Sequence, residues 1–223
     1  MENTEGSTKK YSKKMDKWQT KTLSKAPLKN FILIEGLPGM GNVGKIAIDF
    51  IIENTKADKL FDIYSFSYPH CVLVNEKNLV EMPKISIYHK KIKKTNFWFM
   101  AGDIQPLDEM SCYEFCNITL DLFQKYKGRE IITLGGIGQQ QIPKSPRLFC
   151  TGTDKEIIKK YADPKLSNNI YGVVGPIVGV SGLLLGVSSQ RGIGALSILA
   201  ETFGHPNYLG IKGAREMLSY LNK

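Results

Sequence analysis

The chain has 223 residues, 42% of them hydrophobic, and 30 lysines and arginines against 21 aspartates and glutamates, a formal net charge of +9. That length fits one compact domain, and that apolar content excludes a wholly disordered chain. The charge would point to nucleic acid if it gathered in one folded patch, but Lys9, Lys10, Lys13, Lys14, Lys17, Lys21 and Lys25 crowd the first 25 residues, where little is apolar. Residues 1–27 therefore read as a basic, disordered tail and 28–223 as a single α/β domain, and nucleic acid is not the expected partner.

The N-terminus lacks the apolar run of a secretory signal. The longest apolar stretch, 173–187, is broken by glycines and a proline and falls short of the roughly 20 residues that span a bilayer. A soluble, cytoplasmic protein is expected. Cys71, Cys112, Cys116 and Cys150 form no CxxC pair, and His70, His89 and His205 are scattered. Reduced structural thiols are expected, with no metal site and no cofactor.

In chain order, 31–34 reads as a buried strand and 36–44 as a glycine-rich loop. Val43, Ile46, Ala47, Phe50 and Ile51 recur at helical spacing, predicting a helix to about residue 54. A strand at 60–67 precedes a hairpin, 71–74 and 79–82, around the polar turn 75–78. Strands at 85–88 and 97–100 flank 89–94, which reads as an exposed basic turn. A helix is predicted over 111–126, then a strand over 129–134 ending at the turn Gly135-Gly136-Ile137-Gly138. Next come a strand at 148–151, a helix capped by Asp154 and running to 161, and a strand at 171–174. Pro176 suits a helix start, so a helix is predicted over 176–190, closed by Gly192. A strand at 195–200 and a helix at 214–221 complete the chain. Strand–helix alternation at this spacing predicts a mixed, largely parallel sheet covered by helices on both faces.

The loop Glu35-Gly36-Leu37-Pro38-Gly39-Met40-Gly41-Asn42-Val43-Gly44-Lys45 imitates two phosphate-binding motifs. Gly39, Gly41 and Gly44 match the G-x-G-x-x-G dinucleotide pattern, and 39–45 matches the first seven positions of a P-loop. In each, glycines let backbone amides approach a phosphate at a helix N-terminus. Ile46 stands where a P-loop needs Ser or Thr for magnesium, and Asp58 and Asp62 sit badly for a ribose acid. A tight turn with close helix-on-sheet packing is the preferred reading, with anion or carboxylate binding by exposed amides as the alternative.

With its surroundings, the loop resembles a particular family. Gly36-Leu37-Pro38-Gly39-Met40-Gly41-Asn42-Val43-Gly44 is similar to the opening motif of archaeal proteasome assembly chaperone homologues. Gly102-Asp103-Ile104-Gln105-Pro106 resembles their G-[DE]-x-Q-P turn, Gly175-Pro176-Ile177-Val178-Gly179-Val180-Ser181-Gly182-Leu183-Leu184-Leu185 their glycine-rich helix, and Leu199-Ala200-Glu201-Thr202 the strand end after it. The resemblance implies a three-layer α/β/α fold similar to purine nucleoside phosphorylases, without their chemistry. It also implies a non-enzymatic role, binding proteasome α subunits or other proteins as a homo-oligomer. Family members that dock into proteasome rings often end in a hydrophobic residue, a tyrosine and one last residue. Here Asn222 is penultimate, which puts tail docking in doubt.

Any catalytic reading has to use the ends of the strands. Glu35, Asp103 and Glu201 all follow predicted strands and would meet at one sheet edge if those strands are parallel neighbours; with Gly39, Gly41, Gly44, Gln105, Thr202 and His205 they form the candidate ligand or partner edge. The alternative function is a nucleotide- or nucleoside-binding protein or enzyme using that edge. Gly179-Val180-Ser181-Gly182 is not a nucleophile elbow; the folded part has few arginines, Arg129, Arg147, Arg191 and Arg215, and neither Arg129 nor Arg191 lies in an anion motif. His205, before Pro206, reads as a loop cap ahead of a base. Gly175, Gly179, Gly182 and Gly186 repeat every four residues, predicting a bare helix strip against the sheet or a second subunit.

Overall fold

A computed structural model describes residues 16–24, 29–170, 172 and 175–222. Its centre is β2 (Phe31–Gly36), buried at every position, as expected of a strand covered on both faces. Beside it run β7 (Thr95–Gly102) and β8 (Glu130–Gln139), and beyond β8 lies β11 (Ala195–Phe203), all four parallel. Outside β7, β6 (Ile85–Ile92), β3 (Asp58–Ser65) and β1 (Trp18–Thr22) add antiparallel strands. On the other flank β9 (Leu148–Gly152) pairs antiparallel with β11, and β10 (Leu166–Ser167) closes that edge. The sheet order is β1-β3-β6-β7-β2-β8-β11-β9-β10. The expected mixed sheet is present, and its parallel part is the central four strands; the flanks are mostly antiparallel. A separate hairpin pairs β4 (Leu73–Val74) with β5 (Val80–Glu81).

Helices cover both faces, giving three layers. Ile32, Ile34, Ile132 and Ile198 pack under α1 (Val43–Thr55) and α5 (Ile211–Leu221), which contribute Ala47, Ile48, Ala214 and Met217. In α5, Gly213, Ala214, Met217 and Tyr220 form one buried stripe at helical spacing. On the opposite face Phe31, Leu33 and Met100 meet α2 (Glu109–Lys125) and α4 (Val180–Gln190) through Phe115, Leu120, Leu184 and Val187. The short α3 (Lys155–Lys160) starts where Asp154 Oδ1 accepts the Ile157 amide, at 2.8 Å.

Several boundaries differ from the sequence reading. Trp18 to Thr22, assigned to the tail, is a sheet strand: the Trp18 ring packs on Tyr68 and Phe115, and its Nε1 donates to Glu114 at 2.8 Å. The stretch 89–94 is not a long turn, because β6 and β7 stay paired up to Ile92 and Thr95 and leave only Lys93 and Lys94 to reverse the chain. Gly135-Gly136-Ile137-Gly138 continues β8, held by pairing to Leu199, Ala200, Glu201 and Thr202 of β11. The predicted helix at 176–190 begins at Val180, because Gly179 takes φ 86°, outside helical geometry. The predicted strand at 171–174 lies mostly outside the described residues.

Candidate functional site

The parallel strands all point their C-terminal ends at one edge of the sheet, and the singled-out residues gather there. Glu35, the second-to-last residue of β2, is wholly buried. Its Oε1 accepts the Leu37 amide at 2.9 Å and its Oε2 accepts the Ser181 hydroxyl at 2.9 Å. Burial pushes its carboxyl up to about 7, against the lowering effect of those two bonds. Glu35 thus joins the glycine loop to the first turn of α4.

Gln105 makes a second junction between the same two pieces. Its Nε2 donates to the Pro38 carbonyl and its Oε1 accepts the Val180 amide at 2.9 Å. Gly179, the residue before α4, carries no side chain able to cap the helix, so Gln105 supplies that cap from a distant loop.

Gly39 is exposed, with nothing closer than 3.9 Å to a Cβ there, but the other loop glycines are packed against protein. Gly41 is buried at φ 59°, and a Cβ there would come within 2.5 Å of Thr202 Oγ1. A Cβ on Gly36 would meet the Gly44 carbonyl oxygen at 2.5 Å, and one on Gly44 would strike the Leu134 carbonyl. The Gly41 carbonyl accepts the Gly210 amide at 2.7 Å. Lys45, the residue a P-loop aims at phosphate, pairs with Asp49 at 2.7 Å. Helix α1 starts at Val43, after a 3-10 turn over Met40–Asn42.

The remaining candidates take separate partners. Glu201 receives Arg147 through the backbone amide (2.9 Å), Nε (3.0 Å) and Nη2 (2.5 Å). Burial raises the Glu201 carboxyl, but the Arg147 bonds outweigh it and hold it below the usual range. Asp103 is exposed just past β7, its amide donating to the Lys84 carbonyl at 3.2 Å. Thr202 is buried, with its hydroxyl against Gly41 and Gly210. His205 is exposed, accepts the Asn207 amide at Nδ1 and stacks on Phe203. Glu35, Asp103 and Glu201 share an edge, but the Glu35 and Glu201 carboxylates are turned to different neighbours and Asp103 is exposed. Among the described residues, no three His, Cys, Asp or Glu side chains gather as a metal site would require. No described helix is long and apolar enough to cross a membrane.

The glycines of 175–186 do not form the expected strip. Gly175 lies outside α4, and it and Gly186 have open space where a Cβ would be. A Cβ on Gly182 would run into the Ile177 carbonyl, and one on Gly179 would meet Gln105 Oε1 at 2.8 Å. These close contacts are to loops and not to the sheet. A cavity of about 350 Å³ opens between the glycine loop and 175–178, with Gln105, Gly136, Ile177 and Ser181 on its wall.

The PAC2 family model matches residues 33–223, which include the loop, the Gln105 turn, α4 and β11. The chain belongs to the PAC2 family. Among solved structures it is similar to Pyrococcus furiosus PbaB, an archaeal proteasome activator: 30% identity, 93% of this chain and 88% of that chain covered, TM-score 0.85. It is also similar to P. furiosus PbaA, an archaeal homolog of proteasome-assembly chaperone, at 25% identity over 92% of this chain and 84% of that one, TM-score 0.75. The uncharacterized Methanocaldococcus jannaschii protein MJ1210 is 28% identical over 179 residues, 80% of this chain and 68% of that protein.

Within the PAC2 fold, two features of this edge escaped sequence reasoning. The partners Ser181 and Arg147 lie 146 and 54 residues from their carboxylates, so no local spacing reveals them. The second feature is apolar exposure. Among the described residues, the large exposed apolar side chains other than Leu23, Phe50 and Ile92 lie at this end of the molecule. They include Met40, Leu107, Met110, Ile142, Val178 (83% exposed) and Leu209, together with the β4–β5 hairpin. A run of single apolar residues in loops carries no periodic signal, which is why the sequence reading passed over it.

Proposed function

We propose that this PAC2 protein is a non-enzymatic, proteasome assembly chaperone-like protein that binds proteasome α subunits through the glycine-loop end, as a homo-oligomer in the cytoplasm. The observation that carries the reading is the chemistry of that end: the Glu35, Gln105 and Ser181 side chains are taken up by one another and by backbone groups, while Met40, Leu107, Met110 and Val178 face solvent. Exposed apolar surface suits protein docking, whereas catalysis needs polar groups free to meet a substrate. Likeness to an archaeal proteasome activator and to a proteasome-assembly chaperone homolog supports the choice of partner. A tyrosine-led docking tail is not part of the proposal, because Tyr220 is buried in α5 and its hydroxyl donates to the Tyr161 carbonyl at 2.8 Å.

The test is co-purification of the tagged chain with free α subunits or half-assembled proteasome, with a native mass measurement for the oligomer. Met110→Asp combined with Val178→Asp should abolish recovery without lowering the melting temperature, since both side chains are exposed. Recovery of no proteasome subunit under mild conditions would sink the reading. A second reading, a nucleotide or nucleoside site, draws on the cavity beside Gly39, Gln105 and Ser181. Its side-chain polar groups already have protein partners, which weighs against it. A tightly held nucleotide released from the purified protein would revive it.

A further inference from the structure

The opposite end of the sheet carries a different chemistry. The β6–β7 turn brings Lys91, Lys93 and Lys94 to that end, all exposed. Helix α1 ends there at Lys56, whose carbonyl accepts the Lys90 ammonium at 3.0 Å. The chain entering β2 passes Lys29, tied by its carbonyl to Asn96 at the start of β7, and the Lys127 carbonyl accepts the Asn30 amide at 2.9 Å. Seven lysines from four separate stretches of chain thus meet at one end.

Little at that end neutralises them. Among the described residues none of these seven has a carboxylate within ion-pair distance. Glu130, the buried acid there, already holds Lys160, Tyr161 and Arg129, while Glu53 and Asp58 are exposed acids flanking the α1–β3 connection. Lys56, Lys93 and Lys127 also sit at φ 49°, 53° and 55°, a left-handed conformation that glycine or asparagine adopts more easily. A helix C-terminus favours a cation and accounts for Lys56 and Lys127. It does not account for Lys93, which lies in a hairpin turn.

We propose that this lysine end is a second docking surface, complementary to an acidic face of a protein partner. The inference deepens the reading of the chain as a protein-binding molecule and rests on it for the class of partner. The surface charges are lysines, compact point charges, and Arg129 is already forked onto Glu130 through Nε and Nη2. The aromatic rings nearest this end, Tyr88, Phe97 and Tyr126, are partly buried against the cores, so no platform for stacking bases is exposed. Both facts favour an acidic protein face over nucleic acid.

The test uses the full chain and a fluorescent peptide of about ten glutamates, read by anisotropy at about 50 and about 300 mM salt, where the Debye length differs more than twofold. The native chain should bind and weaken steeply with salt. Lys91→Glu, Lys93→Glu and Lys94→Glu together should lower affinity about tenfold or more at low salt. The control Lys144→Glu, Lys165→Glu, Lys212→Glu, also exposed, should change it less than about threefold. If charge reversal unfolds the chain, the same three lysines changed to Gln keep the comparison. Equal losses in the two triple variants, or no binding by the native chain, would overturn the proposal. Tighter binding of a DNA duplex than of the peptide at the higher salt would reassign the surface to nucleic acid. Peptide binding that survives while α subunits are never recovered would remove the proteasome reading and leave this surface standing.

Discussion

Replacing Glu35 by Gln isolates the one described carboxyl that burial raises on balance. The folded protein holds it at about 7 against an ordinary 4.5. At about 1.4 kcal/mol for each tenfold in proton affinity, that rise amounts to about 3 kcal/mol. Because the folded value lies above the unfolded one, the fold favours the protonated acid. The associated stability is fully present below about pH 4.5 and is lost as pH rises through about 7. Glutamine keeps an oxygen for the Leu37 amide and can donate to the Ser181 hydroxyl, but it does not titrate. Urea unfolding followed by the fluorescence of Trp98, stacked on Phe31 at 3.9 Å in the core, gives the comparison. Between about pH 4.5 and pH 8, Glu35→Gln should gain about 3 kcal/mol relative to the native chain, all of it inside that window. A difference between the two that stays constant across the window would refute the assignment of a buried, titrating Glu35.

Gln105→Ala removes the cap on Val180 and the bond to Pro38 together, and should cost roughly 1–2 kcal/mol with faster hydrogen exchange in the first turn of α4. An unchanged exchange pattern would show that water replaces the amide at no cost. Gly182→Leu should destabilise by roughly 1–3 kcal/mol because its Cβ meets the Ile177 carbonyl, while Gly186→Ala, with open space, should stabilise by up to about 1 kcal/mol. Melting curves in which both substitutions shift stability the same way would contradict these packing assignments.

The glycine loop was legible because its neighbours are regular: β2 is a continuous apolar run and α1 repeats at helical spacing, so the turn between them has one place to go. The four central strands and the two faces of helices were readable for the same reason. β1 was not, since its sequence WQTKT is mostly exposed, and only the Trp18 ring, set among lysines, reaches the core. The extension of β8 was hidden by its glycines, which read as a turn. They are instead small because Met40 lies across them: a Cβ on Gly136 would strike the Met40 carbonyl. At the site, Gln105 and Glu35 were recognisable as special residues, but their work is done across 75 and 146 residues of sequence, a separation no motif expresses. The lysine end was dispersed in the same way, and the sequence showed only one of its stretches as a charged turn.

The cap that Gln105 places on α4 also orders events in time. Val180 sits 75 residues after Gln105, and Ser181 lies 146 residues after Glu35, so the start of α4 is completed only by contacts that close long loops. A helix whose first turn depends on a loop already folded forms late. Gln105→Ala should therefore leave the refolding rate almost unchanged and act on unfolding, a φ-value near zero in stopped-flow measurements. That result would make the glycine loop and the Gln105 turn the template against which α4 is laid.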